Sequence, residues 1–81
     1  YQATITTQTP HKILSSNIGS LSAISASGTT PTVNGNKRIT QIVSSTSFNI
    51  LLDASLAIET FNTGQVTFGT NTYNLQSILN T

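Results

Sequence analysis

The sequence predicts an all-β domain, a small antiparallel β-sandwich or barrel with a C-terminal hairpin and room for one short helix. Three observations predict it. Apolar and polar residues alternate in short runs, β-branched Thr and Ile are abundant, and Gly, Pro and Asn break the chain at short intervals. Disorder is the rival reading of so polar a chain, but 36% of the 81 residues are hydrophobic and they cluster.

The first element is the cleanest. From Tyr1 to Gln8, Tyr1, Ala3 and Ile5 share one side while Gln2, Thr4 and Thr6 share the other, the pattern of a half-buried strand. Pro10 ends it. Residues 1–9 therefore read as an N-terminal strand or arm of a single domain spanning residues 1–81, able to pair at home or with a neighbouring subunit. Next comes a short strand at Ile13-Leu14. After it, Ile18, Leu21 and Ile24 recur every three residues, but the many Ser residues and Gly19 disfavour a stable helix. The rest of the stretch up to Ser27 thus reads as irregular or as a single helical turn. Ser27 to Pro31 reads as a loop and Asn34-Gly35 as a turn.

In the second half, Lys37 to Ser44 reads as a strand. Phe48, Ile50, Leu52 and Ala54 line one face of another, with Leu51 on its back. Asp53-Ala54-Ser55 would turn into a strand from Leu56 to Phe61. A helix over residues 50–58 is the alternative, because Leu51, Leu52, Ser55, Leu56 and Ala57 also fit a helical period. A two-residue loop at Thr70-Asn71 pairs Phe68 with Tyr73 and Val66 with Leu75, keeping apolar pairs on one face. A four-residue loop over Gly69 to Thr72 gives the same register. Ser77-Ile78-Leu79 closes the chain as a strand extension or a last helical turn.

Composition narrows the function classes. A chain this short buries only roughly 60–65% of its unfolded surface, so small folds usually add disulfides, a metal or partners. Cys is absent, and His11, Asp53 and Glu59 are the only His or acidic residues, which is too few for a structural zinc site. Association is the option left. Charged residues are 6% of the chain, against about 25% in ordinary soluble domains. Thr, Ser, Asn and Gln together number 39. The few Lys and Pro residues leave sheet edges poorly defended, which again suggests pairing in an assembly.

No motif carries catalysis. His11 sits in the polar break between Pro10 and Lys12 and reads as a loop or surface histidine; no Ser lies in a nucleophile elbow. Asp53 and Glu59 read as a turn residue and a solvent-facing strand residue, not as paired glycosidase carboxylates. Lys37-Arg38 is too small a basic cluster for nucleic acid and reads as a solubilising pair, or as the ion-pair partner of a neighbouring subunit. Thr-x-Thr spacings occur without a repeat, and β-propensity accounts for them. The longest apolar run is Ile50-Leu51-Leu52, so no membrane insertion is expected. The chain has no Met and starts at Tyr1, as after leader cleavage or trimming, and it has no Asn-x-Ser/Thr sequon, which fits a bacterial, archaeal or viral source.

The expectation is a non-enzymatic structural protein without cofactor or small-molecule substrate, located in a virion or outside the cell. Its partners would be copies of itself, a larger shell protein, or both. One form is a minor virion protein, such as a phage capsid decoration or cement subunit. The alternative is a secreted filament or surface-layer subunit whose N-terminal arm adds to the next subunit's sheet. Tyr1, Ala3, Ile5, Lys37 and Arg38 are the candidate interaction residues. A carbohydrate-binding module is a third class, with Tyr1 and Phe61 the only aromatic residues left over once Phe48, Phe68 and Tyr73 are assigned to the core.

Overall fold

The computed structural model describes residues 1–81 and contains seven strands: β1 (Gln2–Thr7), β2 (Leu21–Ala26), β3 (Asn34–Ile42), β4 (Ser47–Leu51), β5 (Thr60–Phe61), β6 (Gly64–Phe68) and β7 (Asn71–Asn80). The one helical element is a 3-10 turn at Ser15–Asn17, and no helix is long and apolar enough to cross a membrane. All strand pairs are antiparallel. Their order is β1-β4-β3-β2-β6-β7, and β7 pairs back onto β1, so six strands close into a barrel. β5 takes up the edge of β7 beyond the point where β6 leaves it.

Two long strands turn the corners of this barrel. In β3, Asn34–Arg38 pair with β2, while Ile39–Ile42 pair with β4. In β7, Asn71–Asn74 pair with β6, while the segment from Leu75 to Asn80 pairs with β1. Each strand carries an extra residue close to its changeover, Thr40 in β3 and Gln76 in β7. Such bulges bend a strand and sharpen its twist, which is what closing a short sheet requires. Closure also pairs the edges that looked undefended in the sequence: β1, β2, β4 and β6 each have a neighbour on both sides.

The alternation in β1 sends Ala3, Ile5 and Thr7 inward. They meet Phe48 and Ile50 of β4, Ile39, Val66, Leu75 and Ile78 in one apolar core. Ile42, Phe68 and Tyr73 pack on its margin. Phe48 is the largest fully buried side chain. Leu51 faces out as expected, but Ala54 is exposed because β4 ends before it.

Several local expectations are corrected. Residues 21–26 form a strand, whose inward positions are Ser22, Ile24 and Ala26 and whose outward ones include Leu21 and Ala23. The Ser22 hydroxyl is satisfied by the Lys37 carbonyl at 3.3 Å, so a polar residue occupies a core position and the alternation is masked. Ile13-Leu14 is not a strand, although Ile13 is buried. Asn34-Gly35 is no turn but opens β3, with Gly35 opposite Ile24. The Asn34 carboxamide oxygen accepts from the Ala26 amide at 2.8 Å and ends β2. The Leu56–Phe61 strand shrinks to Thr60–Phe61 plus a bridge from Ile58 to Thr30.

The C-terminal hairpin exists with a different register. Its loop is Gly69-Thr70, which pairs Val66 with Tyr73 and Thr67 with Thr72. Gly69 adopts φ +63° at no Cβ cost, which suits a two-residue hairpin loop at this position. Moving the loop by one residue moves each partner by two, so the faces keep their parity.

Candidate functional surfaces

His11 is not a surface residue. It is 2% exposed and stands edge-on to Phe48, with ring centroids 5.4 Å apart. Its Nε2 lies 2.8 Å from the Ser44 carbonyl and 3.3 Å from the Ser47 carbonyl, and its Nδ1 accepts from the Ile13 amide at 2.9 Å. Carbonyls only accept and an amide only donates, so the tautomer with its proton on Nε2 satisfies these contacts. Both ring nitrogens are thus engaged by the backbone: the residue ties the Pro10–Leu14 crossing to the β3–β4 turn.

The candidate interaction residues separate. Ala3 and Ile5 are fully buried and held inside their own chain, while Tyr1 is 73% exposed at the strand's end. Lys37 and Arg38 are consecutive in β3 and project to opposite sides, so they do not form one basic patch. Lys37 is half-buried and borders a hollow of about 250 Å³ with Asp53, and the Arg38 guanidinium donates to the Gly19 carbonyl. Glu59 is exposed and its carboxylate accepts from the Asn80 amide at 2.8 Å. No three His, Asp or Glu side chains gather at one point.

Two surfaces remain that the sequence did not single out. The first is the outer face of β1, β4 and their neighbours. Register places Phe61, Ser77, Thr6 and Ser47 in one rank and Leu79, Thr4, Asn49 and Gln41 in the next, with Gln2 opposite Leu51 beyond. None of these residues is charged. Thr4 donates to Asn49 Oδ1 at 2.7 Å, and Asn49 Nδ2 to Gln41 Oε1 at 3.3 Å. The Thr6 and Ser47 hydroxyls are 2.8 Å apart, and Thr40 donates to Gln2 Oε1 at 2.8 Å. Asn49 and Ser77 are nearly buried within this face, while Leu51 and Phe61 are 48% and 60% exposed at its margins.

No known family resolves it. No family model matches this chain, and no curated protein or solved structure is significantly similar to it. The reading of its surfaces therefore rests on their chemistry.

The second surface is a hollow of about 400 Å³ where the β5–β6 connection meets β7 and the residue after β1. Gln8, Ser25, Asn62, Gln65 and Asn74 surround it, with Gly64 in its wall. Gly64 is required there, since a Cβ would come within 2.1 Å of the Ser25 carbonyl oxygen and its φ is +119°. Sequence inspection missed both surfaces because each joins residues far apart in the chain, and only the strand register brings them together.

Proposed function

We propose that this chain is a structural subunit of a larger assembly, which meets copies of itself, a larger shell protein, or both through the outer face of β1 and β4. The observation that supports this reading is the ladder of side chains across that face. Most of its hydroxyl and carboxamide oxygens already bond one another, so covering them costs less than covering groups that must give up water. Exposed Leu51 and Phe61 add apolar area, and the lack of charge removes the main penalty on burial. In its specific form the proposal is a minor virion protein, a decoration or cement subunit that strengthens a capsid without doing chemistry.

The filament alternative asks β1 to serve the neighbouring subunit. That would withdraw Ala3, Ile5 and Thr7 from the core and open both the β4 and β7 edges, which favours the docking reading. Sedimentation velocity over a range of micromolar to millimolar concentration tests self-association. A discrete trimer or other small ring that dissociates in Leu51→Asp and Phe61→Asp is expected. A monomer throughout the range contradicts self-assembly.

A further inference from the structure

We propose that the hollow beside β6 binds an uncharged, hydroxyl-rich ligand, a mono- or oligosaccharide. Four carboxamides converge there from three segments: Gln8 after β1, Asn62 before β6, and the cross-strand pair Gln65 and Asn74. Three of their ends are used to fix orientation. Gln65 Nε2 donates to Asn74 Oδ1 at 3.2 Å, and Gln8 Nε2 donates to the Leu75 carbonyl at 3.3 Å. Those bonds leave Gln65 Oε1 and Gln8 Oε1 as oriented acceptors and Asn74 Nδ2 as an oriented donor, with both ends of Asn62 and the Ser25 hydroxyl also open.

The chemistry of these groups selects the ligand class. A sugar hydroxyl both donates and accepts, so neighbouring hydroxyls match a ring of carboxamide oxygens and nitrogens. No charged side chain lines the hollow to hold an ion. An apolar ligand would desolvate four amides without return. An extended peptide needs a free strand edge, and the β6 edges are taken by β2 and β7. The volume, about 400 Å³, lies within the roughly 300–1,000 Å³ of small-molecule sites.

The wall is tied to its neighbours by side-chain bonds and close backbone packing. Thr63 donates to the Ser27 carbonyl at 2.5 Å and lies 2.6 Å from the Thr60 hydroxyl, which anchors the loop carrying Asn62. Gly64 lets that loop press onto β2, and a side chain at this position would push the wall outward. Phe61 is not among the lining residues, so binding rests on hydrogen bonds and is expected in the range of about 1–10 mM.

The site shares no lining residue with the β1–β4 face, and the test does not depend on the assembly reading. The ¹⁵N-labelled chain is titrated with glucose, galactose, mannose and N-acetylglucosamine and with cellobiose, lactose and chitobiose. Glycerol and N-acetylglycinamide serve as non-ring and amide controls. At least one saccharide is expected to give saturable shifts confined to the side-chain amides of Gln8, Asn62, Gln65 and Asn74 and the Gly64 amide. In Asn74→Ala the shifts are expected to weaken at least roughly fivefold with the rest of the spectrum unchanged, and Asn62→Gly gives a second, independent readout. The proposal is overturned by no response to any saccharide, by an equal response to glycerol, or by a response to N-acetylglycinamide alone.

Discussion

The β1–β4 face and the hollow beside β6 are made of the same residue types, yet they differ in what their polar groups are doing. On the face, Thr4, Asn49 and Gln41 form a chain of bonds, and Thr6 with Ser47 and Thr40 with Gln2 complete the pattern. In the hollow, Gln65 and Gln8 each use one end of the carboxamide to fix the other. A face whose side chains mostly bond one another suits contact with another protein. A hollow with oriented free ends suits a small polar ligand. Composition does not separate the two cases; strand register does.

The largest expected effect comes from breaking the wall of the hollow. Gly64→Ala places a Cβ against the Ser25 backbone in a left-handed conformation, so a loss of roughly 2–5 kcal/mol is expected from strain and overpacking together. Urea unfolding measures it, and a loss below about 1 kcal/mol would show that the β2–β6 contact gives way easily. Next comes the buried polar network that neither surface shares. His11→Phe keeps a ring beside Phe48 but strands the Ser44 carbonyl and the Ile13 amide, with an expected cost of about 2–4 kcal/mol in the same assay.

The smallest effects separate the two surfaces. Asn49→Ala removes the centre of the ladder, leaving the Thr4 and Gln41 side chains without their partner, and is expected to cost about 1–2 kcal/mol. Asn74→Ala removes an exposed carboxamide whose one protein bond is a surface contact, and is expected to cost less than about 0.5 kcal/mol. Equal costs at the two positions would erase the distinction between a closed and an open polar surface.

What was legible in the sequence follows the same physics. β1 and β4 were readable because their inward residues are mostly Ala, Ile and Phe and their outward ones mostly Thr, Ser and Asn. β2 was not, because Ser22 points in and Leu21 points out, and the spacing of Ile18, Leu21 and Ile24 imitated a helical period. Barrel closure depends on β1 meeting β7 at the other end of the chain, which no local pattern records. His11 was misplaced because a polar sequence environment does not reveal the two carbonyls and the amide that pay for its burial. Lys37 and Arg38, neighbours in sequence, are divided between two sides by the pleat of β3. Neither candidate surface follows from any one segment, since the ladder joins β1, β3 and β4 and the hollow spans Gln8 to Asn74.

Solvent paramagnetic relaxation on the labelled protein, compared between dilute and concentrated solution, distinguishes an assembly face at β1 and β4 from one at the hollow. Leu51, Leu79 and Phe61 are expected to lose access to the probe as the protein assembles, while the Gln65 and Asn74 side-chain amides keep theirs. Protection of the hollow with Leu51 and Phe61 still accessible would contradict it.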